Sequence, residues 1–148
     1  MIEGKLRLAT VQGEGRQFVA ESGTGHAIVL DDANGHTAAK PIELALLALG
    51  ACTGLDVIGI LRKKQQRVTG YEIELRAVQN PEPPSYFTCV EIKHRFRGGI
   101  TPEVVQRAIH LSETKYCAVG AMISKTAKID TTFEILPDIT NDITPEAA

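Results

Sequence analysis

The feature that most constrains this chain is a nearly uninterrupted apolar segment, residues 41–61, whose only charges are Glu43 and Asp56. Pro41 begins the segment, and proline is favoured at the first position of a helix. A helix that is apolar on nearly every side is either buried or crosses a membrane, because a surface helix keeps one polar face. Its length is near the roughly 20 residues of a membrane span, but Asp56 lies well inside it. We therefore predict a long central helix, buried against a sheet or a second subunit.

Composition indicates an ordinary folded chain. Its 148 residues, 43% apolar and 23% charged, suit one domain with one core. The 16 basic and 18 acidic side chains give a formal net charge of −2, which disfavours a nucleic-acid partner bound through bulk positive charge. We expect a single domain over residues 1–137 and a flexible polar tail over residues 138–148.

The N-terminus and the cysteines favour the cytoplasm. The first ten residues contain no apolar stretch typical of a secretory signal. Cys52, Cys89 and Cys117 are an odd number with no CxxC spacing, unlike the disulfide framework of a small secreted domain. The sequence thus predicts a cytoplasmic protein without a membrane partner.

Strands are predicted before the helix. Lys5–Val11 alternates in polarity, and Arg16–Glu21 and His26–Leu30 resemble two strands joined by a hairpin turn at Ser22–Gly25. A polar loop over residues 31–40 then leads to the helix.

A long hairpin is predicted after the helix. Tyr71–Val78 and Phe87–Phe96 both alternate in polarity, and prolines within residues 80–84 interrupt the strand pattern between them. One face of the second strand carries Thr88, Val90, Ile92, His94 and Phe96.

The remaining segments complete an α+β fold. Thr101 is the predicted cap of a helix, a further turn or short helix covers about 117–125, and Thr131–Leu136 is a final strand. The order βββ-α-ββ-αα-β lacks the regular alternation of strand and helix found in α/β proteins.

Cys52 is the first candidate for chemistry, because its neighbours Gly50, Ala51 and Gly54 let a ligand or another backbone approach. The alternative is a buried cysteine that packs as a small apolar side chain. A reactive thiol needs a cation or a helix N-terminus nearby. Asp56, one turn along, has the opposite effect.

Cys117 is the second candidate. It lies at a break between two helical patterns, where the helix start and Lys115 favour a thiolate, although a cysteine packed at a helix junction is an open alternative. Cys89 alternates with charged residues and is interpreted as incidental. The histidines, His26, His36, His94 and His110, show no metal-ligand spacing. A zinc site of both candidate cysteines and a distant histidine has no local support.

Two blocks of sequence resemble the OsmC/Ohr family. The first runs from Pro41 through Cys52 and Asp56 to Val57, and the second, LSETKYCAVGAM, covers residues 111–122 and places Cys117 65 residues after Cys52. The resemblance extends over nearly the whole chain to about Pro137. It implies an OsmC-like fold in an intertwined homodimer, which accounts for a helix apolar on all sides.

The resemblance also implies a function. Cys52 takes the position of the peroxidatic cysteine and Cys117 that of the resolving cysteine in a peroxidase that reduces organic hydroperoxides and, less well, hydrogen peroxide. The Cys52 sulfenic acid would condense with Cys117 to a disulfide, which an external thiol or dithiol reopens. No metal, flavin or nicotinamide cofactor is implied.

Two further residues are candidates by resemblance. The best-studied branch of the family activates its cysteine with an arginine from an early strand or loop and a glutamate just after the helix-opening proline. Arg16 is the nearest early arginine here, and the acid, Glu43, comes one residue later than in the family pattern. Each has a structural alternative: Glu43 caps the first turn of the helix, and Arg16 is a solvated turn residue.

Two competing hypotheses stay open. In the first, the chain is a non-catalytic redox sensor or small-ligand binder of the same fold, which oxidises once without turnover. In the second, both thiols are inert core residues.

Overall fold

The computed structural model describes residues 1–9, 16–32 and 37–138. The element order confirms the predicted α+β sequence βββ-α-ββ-αα-β, and a π-helical turn, Ser112–Tyr116, separates the last two helices. In chain order the elements are β1 (Gly4–Leu8), β2 (Phe18–Ser22), β3 (Ala27–Leu30), α1 (Pro41–Lys63), β4 (Arg67–Gln79), β5 (Phe87–Gly99), α2 (Pro102–Leu111), α3 (Ala118–Ile123) and β6 (Lys128–Leu136).

The chain divides into two compact units, Met1–Leu47 and Ala48–Ala148. In the first unit, β1, β2 and β3 form an antiparallel sheet in chain order, and the predicted hairpin joins β2 to β3. Gly25 has φ +83° in this hairpin, a conformation that glycine adopts without steric cost. The predicted strand end at residues 10–11, the loop centre at 33–36 and the tail beyond 138 lie outside the described residues.

The second unit contains a sheet of order β4-β5-β6. The predicted hairpin is confirmed, since β4 and β5 pair in antiparallel fashion, with both strands longer than the alternation indicated. The face of β5 predicted to point inward is buried at Val90, Ile92, His94 and Phe96. β6 pairs in parallel with β5, and the intervening α2 and α3 supply the crossover that a parallel connection requires.

Glycines bring α1 close to β4. A Cβ atom added at Gly50 would lie 2.5 Å from Cδ1 of Leu75, and one added at Gly54 would lie 2.7 Å from Cδ1 of Ile73. The residues of α1 that this packing buries follow a helical stripe: Leu49, Gly50, Thr53, Gly54, Val57 and Leu61.

Among the described residues, the part of α1 that belongs to the second unit is buried along one face. On the other side Ala51 is exposed, and the Leu55 side chain is 73% exposed. One sheet covers only one face of a helix, so cover of the remaining face by a second subunit stays a prediction. By length and composition α1 could also cross a membrane, although the core helix of a soluble protein satisfies the same criterion.

The start of α2 differs in detail from the expectation. Thr101 occupies the N-cap position, but its side chain makes no capping hydrogen bond. Its backbone N–H instead donates to the side-chain oxygen of Gln66 at 2.7 Å. The amide of Gln66 thus ties the start of α2 to the connection between α1 and β4.

We predict that Gly98→Ala destabilises the hairpin of β4 and β5. Gly98 has φ +127°, and an added Cβ atom would lie 1.9 Å from the carbonyl oxygen of Arg67. This backbone cannot move without breaking the strand pairing, so we expect urea unfolding to show a loss of about 2 kcal/mol or more. The matched variant Gly99→Ala, whose Cβ meets only side-chain atoms at 3.7 Å and beyond, should change the free energy of unfolding by less than about 0.5 kcal/mol. Equal stability of the two variants would contradict this interpretation.

Candidate active site

The structure brings two of the sequence-predicted cysteines together. The Sγ atoms of Cys52 and Cys117 and a carboxylate oxygen of Asp56 all lie within 4.8 Å of one another. Cys117 is 5% exposed, whereas Cys52 and Asp56 are half-buried. Cys89 is half-buried in β5 opposite Val78 and Lys128 and is not a member of this group. We call Cys52, Asp56 and Cys117 the thiol–carboxylate cluster.

Helix α1 supplies two of the three members. Cys52 and Asp56 are four residues apart, so they lie one turn from each other on the same side of the helix. The glycines that bring α1 close to β4 flank Cys52 on both sides, at positions 50 and 54. The packing of α1 therefore holds Cys52 and Asp56 at one edge of its buried stripe.

Ser112 links α1 to the segment that carries Cys117. Its fully buried Oγ atom lies 2.9 Å from Oδ2 of Asp56 and 3.1 Å from Oγ1 of Thr53. An ionised carboxylate can only accept, and a serine hydroxyl has one proton, so that proton goes to Asp56. Sequence analysis missed Ser112, which lies in a polar run and gives no periodic signal of burial.

The π-helical turn positions Cys117. The backbone N–H of Cys117 donates to the carbonyl oxygen of Ser112 at 2.8 Å, which closes this wide turn. The chain then turns extended at Cys117, the N-cap of α3, and its sulfur accepts a hydrogen bond from the N–H of Gly120 at 3.2 Å. The predicted position of Cys117 at a helix start is confirmed. Single π-helical turns are rare and are found frequently at functional sites.

The charge state of Cys117 differs from the expectation. Burial raises the pKa of the Cys117 thiol to about 11, and the hydrogen bond with Cys52 and the negative charge of Asp56 act in the same direction. Only the N–H of Gly120 opposes them. Lys115 was expected to favour a thiolate, but its Nζ atom lies 5.4 Å from the ring centroid of Tyr116, and it is not among the groups that shift this pKa. Cys117 is therefore a neutral thiol at pH 7.

Glu43 occupies a capping position. Its carboxylate accepts the backbone N–H of Lys40 at 3.0 Å and lies 3.3 Å from the Lys40 ammonium group. This is the acidic half of a capping box, in which the third residue of a helix binds the N-cap amide. The hydrogen bond from the Lys40 amide lowers the pKa of Glu43. Participation of Glu43 in thiol chemistry stays a prediction.

Arg16 is a surface residue of the first unit. Its side chain is 74% exposed, and its Nε atom lies 3.8 Å from a carboxylate oxygen of Asp32. This placement agrees with the solvated alternative, and its assignment to the thiol stays a prediction as well.

Histidine does not contribute to the cluster among the residues that the structure describes. His94 is fully buried in β5, and its Nδ1 atom lies 2.7 Å from the hydroxyl oxygen of Tyr71. Burial lowers the pKa of His94 to about 4, so this ring is neutral. His36 lies outside the described residues.

Comparison with known proteins shows the family. The family described as OsmC-like protein matches residues 33–132. Protein YhfA of Escherichia coli is 36% identical over 124 residues, which cover 83% of this chain and 92% of that relative.

Solved structures share the fold. A hypothetical protein from Aquifex aeolicus superposes with a TM-score of 0.82 at 28% identity, over 93% of this chain and 98% of the other. An organic hydroperoxide resistance protein from Elizabethkingia anophelis superposes with a TM-score of 0.65 at 15% identity, over 92% of this chain and 96% of the other.

We predict that Cys117 of the reduced protein is alkylated slowly. A thiol with a pKa of about 11 is about 0.1% thiolate at pH 8, whereas an ordinary cysteine is about one-quarter thiolate. Mass-resolved iodoacetamide labelling should show a rate at least about 100-fold below that of the urea-unfolded chain. Because only the thiolate reacts, the rate should rise about tenfold per pH unit from pH 8 to 10.

The variant Asp56→Asn tests the carboxylate's share of this shift. Removing its charge should lower the pKa of Cys117 and speed labelling at pH 8, whereas Asp130→Asn, on β6, should leave the rate unchanged. Labelling that is already pH-independent at pH 8 would contradict the raised pKa.

Proposed function

From the premise that this chain belongs to the OsmC-like protein family, we propose that it is a thiol-dependent peroxidase that reduces organic hydroperoxides and, less well, hydrogen peroxide. The observation that carries this proposal is the thiol–carboxylate cluster, in which a half-buried and a buried thiol meet from distant parts of the sequence. The hydroperoxide resistance protein of the same fold supports a redox role.

The proposed reaction uses both thiols. The Cys52 thiolate attacks the hydroperoxide, the O–O bond breaks, and the alcohol leaves after taking up a proton. Cys52 is then a sulfenic acid, and the Cys117 thiol condenses with it to form a disulfide and one water molecule. An external thiol or dithiol reduces the disulfide and restores both thiols.

The roles of the two cysteines follow from their surroundings. Cys52 is the more exposed thiol, so it is the one that a hydroperoxide reaches first. Cys117 is buried and neutral, which protects it from direct oxidation, since the thiolate is the reactive form. The sulfenic acid of Cys52 would then form next to the reduced Cys117 thiol.

We assign the substrate to a cavity beside the cluster, which is lined by Asp56 but by neither cysteine. A hollow of about 340 Å³ reaches Asp56 and has apolar walls that include Leu55, Leu111 and Tyr116. Lys63 and Lys64 also line it. A hydroperoxide with an apolar body fits such a hollow better than a small polar oxidant does.

We propose a cytoplasmic homodimer in which a second copy covers the exposed side of α1. Leu55 is 73% exposed and Tyr116 is 51% exposed beside the site. Large exposed apolar side chains of this kind are unfavourable in water. The reductant is an external thiol or dithiol, and the proposal includes no cofactor, nucleic acid or membrane.

The peroxidase proposal predicts a specific pattern of intact masses. After one equivalent of an organic hydroperoxide, the parent protein should lose two hydrogens, Cys117→Ser should gain one oxygen, and Cys52→Ser should do neither. Cys89→Ser is the matched control and should behave as the parent does. With excess dithiol, the parent should consume many equivalents of hydroperoxide, and Cys52→Ser should lose at least about 99% of that rate. Parent-like turnover by Cys52→Ser would overturn the proposal.

A non-catalytic redox sensor is the second candidate. It is favoured by the start of α1, where Ile42 rather than an acid follows Pro41 and Glu43 binds the Lys40 amide as a helix cap. A sensor forms the same disulfide but stops after one equivalent of hydroperoxide per chain in the presence of dithiol. Multiple turnovers would exclude it.

The dimer proposal has its own test. Leu55→Glu places a charge on the exposed side of α1 and should shift the mass measured by light scattering from two chains towards one. Val78→Glu is the control, because Val78 is 62% exposed but lies in β4. A parent protein that elutes as a single chain would refute the proposed assembly.

A further inference from the structure

The thiol–carboxylate cluster has the dimensions of a zinc site. Zinc binds sulfur at about 2.3 Å and carboxylate oxygen at about 2.0–2.2 Å in a tetrahedral arrangement. Such a site separates two sulfurs by about 3.8 Å and sulfur from oxygen by about 3.6 Å. The three atoms here all lie within 4.8 Å of one another, so side-chain movements of about 1 Å bring them to these distances.

We propose that Cys52, Asp56 and Cys117 bind a thiophilic divalent cation, represented by Zn²⁺, and that the bound ion and the disulfide exclude each other. Sulfur ligands select zinc-like ions over Mg²⁺ and Ca²⁺. Three protein ligands leave a fourth position for water. The exclusion of the disulfide rests on the proposed function, whereas the binding of the ion does not.

Rigid elements hold the three ligands. Cys52 and Asp56 are four residues apart on α1, the spacing at which two helical side chains can reach one ion. Cys117 is fixed at the N-cap of α3 by the hydrogen bond from Gly120. The ion would thus join α1 to the start of α3, two segments that the Ser112 hydrogen bonds already connect.

Asp56 and Cys117 each have a hydrogen-bond partner that orients the side chain as a ligand. The buried hydroxyl of Ser112 lies 2.9 Å from Oδ2 of Asp56 and holds this carboxylate in place. The N–H of Gly120 lies 3.2 Å from the sulfur of Cys117. Metal sites in proteins generally have such hydrogen-bonded support behind the ligands.

Charge favours a cation at this point. Two thiolates and a carboxylate carry three negative charges, and Zn²⁺ offsets two of them. Without an ion, Asp56 works against a nearby thiolate, so a carboxylate here is poorly suited to thiol chemistry alone. As a ligand, the same carboxylate has a direct role.

The conversion of the zinc-bound form to the disulfide form is balanced in atoms, protons and electrons. Binding converts two thiols to a zinc dithiolate and releases two protons. A hydroperoxide that oxidises this dithiolate takes two electrons from the sulfurs and two protons from the buffer, the same number that binding released, and yields the disulfide, one alcohol, one water molecule and free Zn²⁺. The disulfide no longer offers thiolate ligands, and an ion bound to the Cys52 sulfur lowers the nucleophilicity of that sulfur, which slows its reaction with hydroperoxide.

Binding is tested first, on the reduced full-length protein without peroxide. Co²⁺ reports coordination through its thiolate-to-metal charge-transfer band, and competition with a chromophoric chelator measures Zn²⁺ affinity. We expect one ion per chain, with the band lost in Cys117→Ser and kept in the matched variant Cys89→Ser. Asp56→Asn should weaken Zn²⁺ binding at least about tenfold, Asp56→Glu should weaken it less, and Asp130→Asn should not. The absence of a band, or equal affinity in Cys117→Ser and the parent, would overturn the proposal.

The mutual exclusion of the bound ion and the disulfide is tested by adding one equivalent of organic hydroperoxide to zinc-loaded and zinc-free protein. Slower disulfide formation in the loaded protein, with one Zn²⁺ released per disulfide, supports exclusion. Equal rates, or a disulfide formed without release, overturn it. Zinc binding without any peroxide reaction would support the metal site and refute the peroxidase. Peroxide turnover without zinc binding would support the peroxidase and refute the metal site.

Discussion

The close approach of α1 to β4 is the constraint on which the rest of the second unit depends. Gly50 and Gly54 have no side chains, so the methyl groups of Leu75 and Ile73 occupy the space that Cβ atoms would take. This contact fixes the rotation of the helix about its axis. Thr53 and Val57 then face the interior, and Cys52 and Asp56 lie half-buried at the edge of the same stripe. A different rotation would place the thiol either in the core or in water.

Ser112 connects α1 to the segment that carries Cys117. A buried hydroxyl needs hydrogen-bond partners, and those of Ser112 are Thr53 and Asp56 on α1. The π-helical turn that begins at Ser112 adds a residue to the helical path and ends at Tyr116, directly before Cys117. The two thiols therefore meet because the Ser112 contacts hold the start of the turn against α1. The backbone then becomes extended at Cys117, which begins α3. The site depends on this contact as much as on the cysteines.

The local polarity pattern of the sequence predicts much of the fold but only part of the candidate site. Alternation predicted β4, β5 and the buried face with His94 and Phe96, because half-buried strands repeat every two residues. It could not predict that β6 pairs in parallel with β5, which depends on how α2 and α3 cross the sheet. The meeting of Cys52 and Cys117 came from resemblance rather than spacing. The raised pKa of Cys117 was missed because burial, its largest cause, is a property of the folded chain.

Asp56 is the residue that any account of this site must explain. A carboxylate among two thiols raises the energy of every thiolate state, and the structure holds it in place with a buried serine rather than letting it turn to solvent. In a metal-bound state it becomes a ligand with its supporting partner already in position. The same three side chains can thus serve two states of one site, a reduced form that holds a cation and an oxidised form that holds a disulfide, with hydroperoxide driving the conversion and external thiol reversing it.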